Sequence, residues 1–120
     1  MKLPNDSDNE KQKRKKAIEE ATKEALETPL SIAKMSLKVL ELQGVFVQWG
    51  NTDTMSDMGV GIWTAYAGLE GAIITVKINL YNLYDEEYKE KIIKECEKII
   101  SMGRQLRDEH LKTVYSKLDE

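Results

Sequence analysis

Between Gly50 and Val60 the chain reads Gly-Asn, four residues, Ser-Asp, two residues, Val, and soon afterwards comes the run from Leu69 to Leu80, L-E-G-A-I-I-T-V-K-I-N-L. A Gly-Asn stop followed by a Ser-Asp start is the signature of one helix ending and another beginning. Glycine takes the left-handed conformation that closes the first helix, and Ser56 or Asp57 accepts the orphan amide hydrogens of the second. That joint constrains the fold to helices folded back over short connections. A joint alone has no need of an ionisable residue in the first turn, so Asp57 is also a candidate for chemistry.

The rest of the pattern is helical. Met1 to Asn9 carries no periodic apolar residues and is expected to be a flexible start. From about Asp8 a charged helix follows, with Ala17, Ile18, Ala21, Ala25 and Leu26 at amphipathic spacing. Thr28-Pro29 predicts a break, with Thr28 as a cap and Pro29 in the first turn of a second helix. That helix carries Leu30, Ile32, Ala33, Leu37 and Leu40, and runs past Gly44 to Trp49. A third begins at Ser56 or Asp57 and is rich in small residues, among them Gly59, Gly61, Ala65, Gly68, Gly71 and Ala72. Small side chains admit a neighbouring backbone, so this helix is expected to be central and the most buried. Its end, Ile73 to Leu80, has strand propensity, and periodicity alone does not decide it. Tyr81 to Tyr84 reads as a turn. Asp85 opens a last helix with an apolar stripe from Tyr88 through Ile92, Cys96, Ile99 and Val114 to Leu118, with Gly103 as a soft spot. The expected fold is all-α, a bundle of about four helices in a single domain spanning residues 1–120.

Composition narrows the function classes. With 18 Lys and Arg against 21 Asp and Glu, the net charge of -3 argues against a general nucleic-acid binder. The basic cluster Lys11, Lys13, Arg14, Lys15 and Lys16 is interleaved with acids, which favours a solvated helix face over an anion site. One cysteine, Cys96, permits no intrachain disulfide and suits a reducing cytoplasm. No continuous run of about 18 apolar residues occurs, so no membrane partner is expected. His110 has no second histidine beside it, and no metal site is expected.

Several segments, in order, resemble the formimidoyltetrahydrofolate cyclodeaminase and methenyltetrahydrofolate cyclohydrolase family. They are Lys2-Leu-Pro4 with Lys15 to Ala21, Glu27-Thr-Pro-Leu30, Gly50-Asn51, Ser56-Asp57 with Val60, Glu70-Gly-Ala72, Val76-Lys-Ile-Asn-Leu80 and Asp85-Glu-Glu87. The resemblance favours helix for Ile73 to Leu80. It implies an enzyme of folate one-carbon metabolism acting on a tetrahydrofolate derivative. Thr75 departs from it, standing where the family usually has Asn. So does the lack of a Gly-rich P-G-G-G-S segment that precedes these motifs in the family. The chain therefore looks like the C-terminal half of that domain, and a companion N-terminal half is a possible partner.

The resemblance also suggests the site. Asp57 is the candidate catalytic acid or base, and Asn51, Ser56, Lys77 and Asn79 are candidate substrate-binding residues. Bland alternatives stand beside each: helix caps for Ser56, Asp57 and Asn79, an Asx turn for Asn51, and a snorkelling side chain for Lys77. Trp49, Trp63 and Tyr66 can stack on a pterin ring or simply serve as core or interface. Self-association, as a dimer, is expected through the small-residue helix from Gly59 to Ala72. A non-catalytic helical module for self-association or partner binding is the alternative to an enzyme.

Overall fold

In the computed structural model, which describes residues 8–119, three long helices carry the chain and no strand occurs among the described residues. They are α1 (Asp8–Trp49), α2 (Met55–Leu80) and α3 (Glu86–Leu118). A short 3₁₀ turn, Thr52–Thr54, precedes α2.

The packing follows a seven-residue period. Leu26, Ala33, Leu40 and Val47 are the buried residues of α1. Met55, Ile62, Leu69 and Val76 repeat the interval in α2, and buried Leu83 extends it into the following turn. In α3 the buried residues Ile92, Cys96, Ile99 and Gly103 alternate steps of four and three. Such spacing keeps one seam of each helix against its neighbours when the helices wind gently around one another. As α1 passes from Gln43 back to Ser36, its neighbour in α2 advances from Gly61 to Gly68, so the two run antiparallel. Ion pairs Lys23–Asp85 and Lys34–Glu95 set α3 parallel to α1. Each fully buried Leu or Ile in this seam contributes about 1.5–3 kcal/mol.

Several expectations are corrected. Thr28-Pro29 does not break the chain, so there are three helices and not about four; Pro29 lies inside α1. A proline there costs about 3 kcal/mol in an isolated helix. Here Leu26 and Ala33, on either side of it, are held in the core. Gly50 is not left-handed, for no described residue has positive φ. It is glycine for space, since a Cβ would lie 2.7 Å from Met55 Cε and 2.9 Å from the Phe46 carbonyl oxygen. Nor do Ser56 and Asp57 cap α2. The helix starts one residue earlier, its cap residue Thr54 makes no side-chain capping bond to it, and Asn51 caps the 3₁₀ turn instead. The segment Ile73 to Leu80 is helical, and Asp85 does cap α3, accepting from the Tyr88 amide at 3.1 Å. Of the expected flexible start, residues 1–7, with the Lys2-Leu-Pro4 motif, lie outside the described residues, and Asp8 and Asn9 are helical.

The shape is long and thin. Its extents are 77 × 25 × 16 Å and its radius of gyration is 20.5 Å, against about 14 Å for a compact domain of this length. In α1, Ala17, Ile18, Ala21 and Ala25 are exposed, with burial beginning at Leu26. A layer this thin leaves faces uncovered, and they are apolar. On α1 a second stripe, Ile32, Met35, Val39, Leu42, Phe46 and Trp49, is exposed beside the core seam. On α2 the side opposite the core carries Val60, Ala67, Gly71, Ile74 and Ile78, all exposed. So α2 supplies more buried residues than either neighbour yet is not buried all round. Apolar on both sides, the stretch Thr52–Leu80 is long and apolar enough to cross a membrane by length and composition. The run-length exclusion made from the sequence therefore does not hold. Ile62, Leu69, Ile73 and Val76, packed against α1 and α3, give its composition a second cause, a core on one side.

Candidate functional site

The joint between α1 and α2 is built to hold its shape. The last carbonyls of α1 have no helical partner and carry the negative end of the helix dipole. Lys117, from the last turn of α3, donates to three of the backbone oxygens there: Val47 at 2.8 Å, Gln48 at 2.7 Å and Gly50 at 2.9 Å. Asn51 Oδ1 accepts from the Thr54 amide at 3.2 Å, and Thr54 Oγ1 donates to the Asn51 carbonyl at 2.9 Å. Its side chain is thus engaged as an Asx-type cap, one of the two readings open from the sequence.

Held by this joint, Ser56 and Asp57 lie exposed in the first turn of α2. Among the described residues Asp57 has no hydrogen-bond or ion-pair partner. It occupies the outer face of α2, on the same stripe as Val60, Thr64 and Gly71. An apolar groove of about 280 Å³ flanks it on the α1 side, lined by Phe46, Trp49, Gly50, Thr54 and Met58. Ser56 lines a second groove, of about 360 Å³, on the α3 side with Gly59, Val60, Trp63 and Tyr115 among its walls. A carboxylate between two apolar grooves with an indole in each can grip a planar ring and exchange a proton with it.

Lys77 and Asn79 are elsewhere. They sit at the other end of α2, and at 1.5 Å per residue Asp57 and Lys77 are about 30 Å apart. The structure thus brings Asn51, Ser56 and Asp57 together and leaves Lys77 and Asn79 out of their reach within one chain. Lys77 is exposed and lines a groove of about 390 Å³ with Tyr81, Glu86 and Lys89. Asn79 Nδ2 donates to the Thr75 carbonyl one turn back at 2.9 Å, so it is not the C-cap; that position is Tyr81. Thr75 likewise turns its hydroxyl to the Gly71 carbonyl, at 3.0 Å.

The remaining candidates take structural places. Tyr66 is buried, its hydroxyl accepting from Arg104 Nε at 3.0 Å while Arg107 lies 4.3 Å over its ring. Trp63 is half exposed under the same Arg107, and Trp49 is almost fully exposed. Cys96 is buried, and desolvation pushes its thiol pKa up, which disfavours a nucleophilic thiolate. His110 Nε2 bonds the Leu40 carbonyl at 2.8 Å over the space left by Gly44. Among the described residues no group of three His, Cys, Asp or Glu is placed to hold a metal ion. Of the basic cluster, Lys11, Arg14 and Lys15 line a groove of about 530 Å³ with Tyr81, Asn82 and Tyr84.

Lys117 and the second stripe of α1 went unread in the sequence. The stripe was readable as a repeat of threes and fours from Ile32 to Trp49; Lys117 left no local signal, because its partners are about 70 positions away.

The formiminotransferase-cyclodeaminase family model matches residues 1–98, which takes in the joint, both ends of α2 and the start of α3. A methenyltetrahydrofolate cyclohydrolase of Methylorubrum extorquens is 34% identical over 117 residues, covering 98% of this chain and 56% of the relative. Formimidoyltransferase-cyclodeaminases of Rattus norvegicus and Dictyostelium discoideum are 31% and 33% identical over 76% and 74% of this chain, each match covering 17% of the relative. The chain thus spans about half the length of the bacterial relative and a smaller share of the others.

Proposed function

This chain belongs to the formiminotransferase-cyclodeaminase family, and from that premise we propose that it binds a reduced folate and serves the interconversion of formimidoyl-, methenyl- and formyl-tetrahydrofolate. The observation that carries the reading is the position of Asp57, unpaired on the uncovered face of α2 between two apolar grooves, inside the matched region. Ring closure of a formimidoyl group needs a base for the N10 proton and an acid for the departing ammonia. A carboxylate can do either, and positioned proton transfer supplies about 10²–10⁴ in rate. In this reading Asp57 exchanges the proton, Ser56 donates a hydrogen bond to the ring, and Trp49 and Trp63 supply stacking surfaces. Asn51 shapes the joint that presents them.

Calorimetric titration with a reduced folate tests binding, first with this chain and then with the N-terminal half of a family member added. Asp57→Asn in whichever assembly turns over should lower the rate about 10²–10⁴-fold with helix content unchanged. Full turnover by that variant removes Asp57 from the chemistry.

A second reading, a non-catalytic helical module for self-association or partner binding, is favoured by the exposed α1 stripe from Ile32 to Trp49. Absence of folate binding in both titrations selects it.

A further inference from the structure

Although the chain carries a net charge of -3, one of its grooves is strongly basic. It lies between the N-terminal part of α1 and the turn after α2, with a volume of about 530 Å³. Lys11, Arg14 and Lys15 line one side, and Tyr81, Asn82 and Tyr84 the other. Along the sequence, acids interleave the cations of this region; around the helix they do not. Lys11, Arg14, Lys15, Ile18 and Thr22 recur at steps of three and four and share one face of α1. No carboxylate lines the groove, and neither do Lys13 and Lys16. Glu19, one turn on from Lys15, commits its carboxylate to the amides of Tyr84 and Asp85.

Most of these groups have nothing of their own to bind. Lys15 lies 3.7 Å over the Tyr84 ring. Among the described residues Lys11, Arg14 and the Asn82 amide have no hydrogen-bond or ion-pair partner, and Tyr81, 85% exposed, has no partner for its ring or hydroxyl. Spacing then selects the ligand. The three cations fall within about 6 Å of helix rise. Carboxylates on one side of an extended acidic peptide recur only about every 6.6 Å, so such a peptide sets two charges against three. A chain of phosphates carries its charges more densely. Arg14 brings a planar fork that takes two oxygens of one phosphate, the lysines act as point charges, and an exposed tyrosine ring is a stacking surface for a base.

We propose that this groove binds a nucleoside di- or triphosphate. Its phosphates lie on Lys11, Arg14 and Lys15, its base stacks on Tyr81, and the Asn82 amide hydrogen-bonds the edge of the base. Asp57 and Tyr81 are about 36 Å apart along α2, so this is a second site, separate from the one at Asp57 and independent of the folate reading.

Calorimetric titration of the full chain with ATP at about 0.1 M salt tests the site. Saturable binding is expected, and none at millimolar ATP overturns the proposal. Lys11→Gln combined with Arg14→Gln should weaken ATP binding about tenfold or more. Lys13→Gln combined with Lys16→Gln removes the same charge outside the groove and should leave the affinity nearly unchanged. Equal weakening by the two pairs would mean a diffuse field in place of a site. Tyr81→Ala separates ring from phosphates: it should weaken ATP and leave inorganic tripolyphosphate as it was. ATP binding unaltered in that variant overturns the stacking. A single-stranded oligonucleotide that displaces ATP at lower phosphate concentration would assign the groove to nucleic acid and overturn the small ligand. Every substituted side chain is exposed, so helix content should be that of the wild type throughout.

Discussion

The ammonium of Lys117 stands 2.9 Å from the carbonyl oxygen of Gly50, and the same group reaches the carbonyls of Val47 and Gln48. The opposite joint mirrors this with the opposite charge. There Glu19 of α1 accepts from the backbone amides of Tyr84 and Asp85 at the start of α3. These two helix ends are each met by a side chain of the sign the dipole requires, from a helix distant in sequence.

Lys117→Met should therefore loosen the joint that presents Asp57. Three charge-assisted bonds to backbone oxygens are lost, and a cost of about 1–3 kcal/mol is expected. Urea unfolding of the full chain at fixed concentration measures it. A midpoint equal to wild type would show the clamp to be dispensable.

Two glycines should respond in opposite directions to alanine. A Cβ on Gly103 would lie 2.8 Å from Leu69 Cδ1, and Leu69 is fully buried. Overpacking of this kind costs about 1–3 kcal/mol. On Gly68 the nearest atom is Ser36 Oγ at 3.5 Å, an ordinary contact, so the helix-propensity gain of up to about 1 kcal/mol remains. Thermal melts of Gly103→Ala and Gly68→Ala should move down and up respectively.

The Lys23–Asp85 pair, 2.8 Å apart, makes stability fall in acid. Its hydrogen bond from Lys23, and then the Tyr88 amide, hold the Asp85 carboxyl below its ordinary value. The native state thus binds that proton less readily than the unfolded chain. The associated stability is present above about pH 4 and is lost as the pH falls through the folded value. Asp85→Asn keeps a capping oxygen but should flatten this acid limb of the stability curve. An unchanged limb would assign it to other carboxylates.

Cys96 gives an alkaline counterpart. Burial raises its thiol pKa, so the native state holds the proton where the unfolded chain has released it. Its contribution is complete below about pH 8.5 and falls away at higher pH, through the folded value. Alkylation of the native chain at pH 8 should be slow and should become fast in denaturant. Rapid labelling without denaturant would mean that the core around Ile99 and Leu69 opens readily.

Much of this was legible in residue order. The helical class, the joint after Trp49, the turn from Tyr81 and the Asp85 cap all follow from short-range chemistry, in which a side chain acts on backbone a few residues away. So did the burial of Cys96. Pro29 misled because local dihedral preference lost to the packing of Leu26 and Ala33. Ser56 and Asp57 have capping chemistry, but Asn51 and the 3₁₀ turn start the helix before them.

Residue order thus dictates where most of the helical structure forms and which family the motifs resemble, since both depend on identity and spacing along the chain. Tertiary structure alone decided what those helices leave open. Only the arrangement of α1, α2 and α3 in one thin layer shows that the outer side of α2 is uncovered, that Lys117 holds the joint, and that Asp57 and Lys77 stand at opposite ends of one rigid helix. Spacing in sequence does not reveal this, because burial and reach depend on which faces meet, and those are set by contacts between residues tens of positions apart.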